Sequence, residues 1–204
     1  IVNFNLLGKF MKKIFLIFLF IFGLSSIVNA AEQGQTRFGV ELGISPVELE
    51  AEKTAQELAN ASGSTVTVEY DTGVFVGRIF GEYGVSSNLG LEFGFFQTGD
   101  AEAKYTISGA SAKETYNASG VDMSVNLRSD DGFFGKIGMH SSTVDGAASL
   151  TIGGTTYSVT ASRDGSGPLF GAGFEDGDSR FSIIHYVDIG DTSDFTFISY
   201  GWLF

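Results

Sequence analysis

The sequence predicts an all-β chain: an eight-stranded antiparallel up-and-down transmembrane β-barrel behind an N-terminal signal peptide. Three features predict it. Residues 195–204 set Ile198, Tyr200, Trp202 and Phe204 on one face and Phe197, Ser199, Gly201 and Leu203 on the other. About 9–11 residues suffice for a strand to cross a bilayer, with lipid-facing positions two apart and aromatic rings at the interfaces. From Met11, Lys12 and Lys13 precede an apolar run over 14–28, and Val28-Asn29-Ala30 supplies a small-residue cleavage site before Ala31. Between these ends, tight turn signals alternate with long polar segments.

The signal peptide is assigned to 11–30, and 1–10 is read as an upstream extension. The alternative, an uncleaved inner-membrane anchor, needs about 20 apolar residues, and the run is shorter than that. Residues 31–204 then form one barrel domain. Its strands are expected at 37–45, 73–85, 89–99, 120–129, 133–143, 167–175, 179–189 and 195–204. Ser86-Ser87-Asn88, Asp130-Asp131-Gly132 and Asp176-Gly177-Asp178 are the short links, using residues that tight hairpins favour. The long connections are 46–72, 100–119 and 144–166, with a shorter one at 190–194. In the first, residues 46–59 suit a short amphipathic helix with Pro46 at its start and acids in its early turns. In the third, 149–159 reads as a hairpin turning at Gly153-Gly154 and projecting beyond the membrane.

Side-chain parity separates a membrane barrel from a soluble lipocalin-like one. In the third strand Leu91, Phe93 and Phe95 oppose Gly90, Glu92 and Gly94; in the fourth, Val121, Met123, Val125 and Leu127 oppose Asp122, Ser124 and Asn126. An eight-stranded interior is just wide enough for side chains, so the bulky apolar face belongs outside, with small or polar groups inside. The expected lipid-facing set is Leu91, Phe93, Val121, Met123, Val125, Leu127, Phe170, Phe174, Ile198, Tyr200 and Trp202. The same parity sends Arg37, Glu41, Arg78, Glu82, Glu92, Lys136, Glu175 and Arg180 inward, four acids against four bases. Burying an unpaired charge costs several kcal/mol, so a narrow closed lumen requires such a balance. The strand at 179–189 is ambiguous: with Phe181, Ile183 and Val187 outward, Arg180, Ser182 and Asp188 face in but His185 meets lipid, and a one-residue slip or bulge reverses it.

Composition fits this picture. There are 28 Gly, 20 Phe and no Cys, so disulfides and thiol chemistry are excluded. Lys9, Lys12 and Lys13 leave with the first thirty residues, so nine basic residues face 24 acids, a net charge of −15. That acidity argues against nucleic acid and against a polybasic lipid-binding face.

On these residues the chain resembles the eight-stranded transmembrane domain of outer membrane protein A and its relatives, over about 37–204. The best local matches are Gly90-Leu-Glu-Phe-Gly-Phe95, Gly135-Lys-Ile-Gly138, and Phe170-Gly-Ala-Gly-Phe-Glu175 with the strand from Arg180. The resemblance implies interior roles for Glu92, Lys136, Glu175 and Arg180, residence in the bacterial outer membrane, and assembly machinery that reads Phe204 and the terminal strand. Asn126 stands where the family has a gate-like lysine, which puts inherited gating in doubt. No peptidoglycan-binding domain is expected after the last strand.

Function must be argued from sites rather than from the barrel. The leading expectation is a structural, envelope-integrity or surface-interaction role, with lipid around the wall and an extracellular partner reached through loops 46–72, 100–119 and 144–166. The alternative is a low-conductance small-solute pore, and a third class is a lipid A-modifying enzyme. For the last, His140-Ser141-Ser142 offers a His-x-Ser spacing, and Ile184-His185-Tyr186 resembles a deacylase motif but continues with Val187 where Ser is required. No enzyme activity, metal or cofactor is expected. Asp176, Asp178, Asp188, Asp191 and Asp194 lack the spacing of a calcium loop and read as solvated turns.

Overall fold

Period-two patterning runs along nearly every element of the computed structural model, which describes residues 33–204 apart from Glu48 and Thr192. The regions 1–10 and 11–30 lie outside the described residues. In chain order the elements are β1 (Thr36–Pro46), α1 (Ala51–Ser62), β2 (Thr67–Tyr70), β3 (Gly73–Ser86), β4 (Leu89–Thr98), β5 (Ala101–Ile107), β6 (Ala110–Arg128), β7 (Phe133–Ile152), β8 (Thr155–Asp176), β9 (Ser179–Ile189) and β10 (Ser193–Leu203). Among the described residues no helix is long and apolar enough to cross a membrane.

Eight of the strands form a closed antiparallel ring in the order β1, β3, β4, β6, β7, β8, β9, β10. Leu203 pairs with Gly39, and Phe204 exchanges backbone hydrogen bonds with Phe38 (2.8 and 3.0 Å), so the chain's end closes the wall. Closure leaves no free edge within the ring.

Three features differ from the sequence expectation. First, β6, β7 and β8 continue past the ring as one sheet, and β5 and β2 add to the side of β6. The segments at 100–119 and 144–166 are therefore strand, their backbone groups satisfied by neighbours although Ser, Thr and Ala give little apolar signal. Gly153 and Gly154 turn the β7–β8 hairpin with φ of 56° and 85°, the geometry that a two-residue turn with positive φ at both positions requires. Second, α1 begins at Ala51 rather than Pro46. Pro46 ends β1 opposite Gly73 and Val47 N–H still donates to the Thr72 carbonyl, so the backbone stays extended there. Third, β9 keeps Arg180, Ser182, Ile184 and Tyr186 inward until Asp188, whose φ of 60° breaks the alternation. Asp188 is exposed rather than inward and Ile189 is buried in its place.

Candidate functional site

Two regions present chemistry: the lumen, and the sheet that projects beyond the ring. The half of the lumen near the short turns is ionic. Arg78 reaches three carboxylates, donating to Glu41 (2.8 Å), Glu92 (2.6 Å) and both oxygens of Asp122 (2.9 and 2.6 Å). Arg180 donates to Glu92 (2.6 Å), Glu175 (2.6 Å) and Glu82 (3.2 Å), and Arg37 donates to Glu175 (2.7 Å) and Glu82 (3.1 Å). Lys136 Nζ donates to Glu92 at 2.5 Å, and Arg128 bonds Glu175 (3.1 Å) and Glu82. All eight residues assigned inward by parity thus meet in one buried cluster.

Parity also assigns inward two charges that the sequence reading left out of this set, Asp122 and Arg128. Their addition keeps the balance, with five acids (Glu41, Glu82, Glu92, Asp122, Glu175) against five bases (Arg37, Arg78, Arg128, Lys136, Arg180). Asn126, in place of the expected family lysine, donates to Glu92 (2.9 Å) and Glu82 (3.2 Å), linking two acids without adding charge. Ser182 donates to Glu41 (2.8 Å), and Tyr186 caps Asp122 from above (3.0 Å).

The lumen is not lined only by small or polar groups. Phe80, Phe96, Phe134, Phe197, Leu169, Ile184, Tyr186 and Leu203 are buried within it. Space for several of the rings comes from glycine directly across the ladder: Phe80 faces Gly39, Phe96 faces Gly120 and Phe134 faces Gly173. A Cβ on Gly39 would lie 2.2 Å from the Phe80 ring. In the ionic half, Phe80 and Phe134 sandwich Arg180 at 4.3 and 4.8 Å, a geometry in which the ring faces attract the cation. Toward the long hairpins, Val76, Phe96, Leu169, Ile184, Tyr186, Ile189 and Phe197 form an apolar plug.

The outer face is the converse. Leu91, Phe93, Val121, Met123, Leu127, Phe170, Phe174, Tyr200 and Trp202 are exposed, while Val125 and Ile198 are half-buried between larger neighbours. His185 also points outward, within 3.0 Å of Thr196 and 3.6 Å of Asp194. His140 and Ser142 instead lie buried in the lumen. His140 Nε2 donates to the Val187 carbonyl (2.7 Å), and Ser142 Oγ accepts from Gly190 N–H (3.1 Å). The His-x-Ser pair is therefore committed to the backbone on the inside of the wall.

In the projecting sheet, α1 packs Ala51 and Ala55 against Ala103, Tyr105 and Ala112. Ala112 lies opposite Leu150, and Leu150 opposite Tyr157, so these side chains share the helix-covered face. The helix stops short of them: Leu150, Ile152, Tyr157 and Val159 remain exposed, Val159 at 65%. The other face is polar, with Thr151 and Thr156 hydroxyls 2.9 Å apart. Among the described residues no strand pairs with β8 on its outer side before Leu169; the 187–191 backbone lies against Gly165 and Gly167, and every residue over 155–164 is exposed.

The profile of the OmpA-like transmembrane domain matches residues 32–185. No curated protein matches the chain. Among solved structures, the attachment invasion locus protein of Yersinia pestis shares 12% identity over 84% of this chain and 99% of that one, with a TM-score of 0.46. The N-terminal β-barrel domain of OprF from Pseudomonas aeruginosa shares 11% over 84% and 100% (TM-score 0.38). Neisserial surface protein A shares 13% over 81% and 95% (TM-score 0.38). The profile covers most of the chain, running from before β1 into β9, and the protein accordingly belongs to the OmpA-like transmembrane domain family of bacterial outer-membrane β-barrels.

Proposed function

We propose that the protein is a sealed outer-membrane anchor that contributes to envelope integrity and presents its projecting sheet to an extracellular partner. The observation that carries this reading is the unpaired edge of β8 beside an uncovered apolar face. An exposed edge offers a row of N–H and C=O groups to an extended polypeptide, and natural sheets normally blunt such edges with charge or proline. The outer part of the β8 edge, residues 155–162, contains neither; Arg163, Asp164 and Pro168 lie only at the end next to the ring. The short-turn end faces the periplasm and the hairpins face outward. Residues 11–30 direct export and are removed after Ala30. Phe204 and the alternating positions before it present the terminal strand to the barrel assembly machinery. The bulky outer residues contact lipid, and the ten lumen charges neutralise one another instead of guiding solute.

Cells carrying the full chain and cells carrying a variant with 147–160 replaced by a two-residue turn test the surface role on immobilised extended polypeptides. Retention by the full chain alone supports it; equal retention refutes it. Planar-bilayer recording tests sealing: the filled lumen gives no steady current, and a stable open level would establish the pore reading instead.

A further inference from the structure

Beyond the ring, the free edge of β8 has a defined set of backbone groups to offer. Gly153 and Gly154 form a two-residue turn, so Ile152 and Thr155 are a hydrogen-bonded pair. Alternation then commits the backbone groups of residues 157, 159, 161 and 163 to β7 and leaves those of Thr156, Ser158, Thr160, Ser162 and Asp164 on the free edge. At about 3.3 Å per residue, the exposed segment 155–164 carries this edge about 30 Å along the strand.

The side chains of that segment match one another when the strand is laid antiparallel on a copy of itself about Thr160. Tyr157 then stands opposite Arg163, Thr156 opposite Asp164, Ser158 opposite Ser162 and Val159 opposite Ala161. Each pair shares a face, because the register keeps odd positions with odd and even with even. Tyr157 is 63% exposed, and Arg163 is exposed without an ion pair among the described residues, so the guanidinium is free to lie on the ring of the copy. Asp164 Oδ1 accepts from Thr143 (2.7 Å), and the Thr156 and Thr151 hydroxyls are 2.9 Å apart. With Thr151 as donor, the Thr156 proton is left for the second Asp164 oxygen of the copy. The turn of the copy, Gly153-Gly154, falls beside Ser166 and Gly167 and brings no side chain against the connection after β9. Laid parallel and in register, the same strand would set Arg163 beside Arg163 and Asp164 beside Asp164.

We infer that the projecting sheet binds a second copy of this chain, β8 on β8, antiparallel about Thr160. Copies standing upright in one membrane run β8 the same way, whereas antiparallel strands put the two barrels at opposite ends of the joined sheet. The second copy therefore sits in a facing membrane, and the contact holds like cells together. The inference rests on the surface role of the sheet and names its partner. One strand edge is a small contact, so adhesion comes from many such pairs acting between two surfaces.

Two differently coloured populations of cells, with lipopolysaccharide cut back to its core so that the sheets can meet, test it. Mixed clumps are expected when both populations carry the full chain and are lost when one carries none. Tyr157→Lys sets two cations together and abolishes clumping among its own cells; mixing them with Arg163→Glu cells restores it. Ser158→Cys on one population and Ser162→Cys on the other leave the aromatic and charged pairs intact and report the register. Cα atoms of a hydrogen-bonded antiparallel pair are about 5.5 Å apart, within disulfide range, so mild oxidation is expected to give a cross-linked dimer from the mixture and from neither population alone. This cross-link carries the test if Tyr157→Lys fails to reach the surface. Equal clumping with bare cells overturns the inference, as does a dimer formed within either population alone. Absence of both clumps and dimer also overturns it, and retention on immobilised polypeptides in that case leaves the surface role standing.

Discussion

Replacing Glu92 with Gln keeps the side-chain shape and removes its charge, which isolates the electrostatic part of the lumen cluster. Glu92 accepts from Lys136 (2.5 Å), Arg78 (2.6 Å), Arg180 (2.6 Å) and Asn126 (2.9 Å). In Glu92→Gln three buried cations lose a shared anion, and one accepting oxygen becomes an NH₂ donor aimed at other donors. Arg78 retains Glu41 and Asp122, and Arg180 retains Glu175 and Glu82. Lys136 is left most exposed to the loss, since its only ion pair among the described residues is with Glu92. Removing one member of a buried ion pair destabilises by about 3–5 kcal/mol, much of it the penalty of the stranded charge. Glu92→Gln is therefore expected to lose about 3–5 kcal/mol, and adding Lys136→Met, which restores neutrality, to return at least ~1 kcal/mol of that. Trp202 is the only tryptophan and lies on the outer face, so its emission follows denaturant unfolding from lipid vesicles. A single variant within ~0.5 kcal/mol of wild type, or strictly additive effects in the double variant, would refute the reasoning.

Gly94→Ala places a methyl 2.4 Å from the buried Arg78 guanidinium and is expected to destabilise by about 1–3 kcal/mol, whereas Gly135→Ala, whose Cβ would meet only a carbonyl at 3.9 Å, is expected to be neutral in the same assay. Shortening the β7–β8 hairpin by 147–160 removes strand that lies beyond the ring, so the denaturation midpoint is expected to hold; a collapse of the midpoint contradicts the division between ring and projection. Tyr105 is buried beneath α1, and burial followed by the Glu114 carboxylate raises its pKa above the ordinary 10.0. A folded pKa above the unfolded one means that this contribution to α1 docking is complete below about pH 10 and is lost as pH rises through the raised value. Protection of α1 amides against hydrogen exchange, taken relative to the intrinsic base-catalysed rate, is expected to fall over that window in wild type and not in Tyr105→Phe.

The ring was legible in the sequence because its strands carry two independent signals, alternation on the wall and turn residues between strands. Gly90-Leu91-Glu92-Phe93-Gly94-Phe95 states its own orientation. The projecting sheet was less legible: in β6, residues 110–119 mix Ser, Ala, Lys, Glu, Thr and Asn, so their strand state follows from pairing with β5 and β7 rather than from any pattern of their own. The inward rings were missed for a different reason. Judged strand by strand, Phe80, Phe96 and Phe134 are too large for the interior, and the glycines that accommodate them lie on other strands, at sequence distances of 41, 24 and 39 residues as the pairs Phe80–Gly39, Phe96–Gly120 and Phe134–Gly173 show. Asp122 and Arg128 needed no new principle, only the same parity extended to the ends of the strand. The break at Asp188 depends on a positive φ that no period-two reading contains.

Spin labels on single cysteines along β6 test the orientation of the wall directly, since the chain has no native cysteine to interfere. With the protein in lipid vesicles, labels at Val121, Met123, Val125 and Leu127 are expected to collide freely with dissolved oxygen and to be shielded from an aqueous nickel chelate. Labels at Ser124 and Asn126, inside the packed lumen, are expected to be shielded from both. Oxygen access without a two-residue period, or chelate access at Met123 and Val125, would contradict the account.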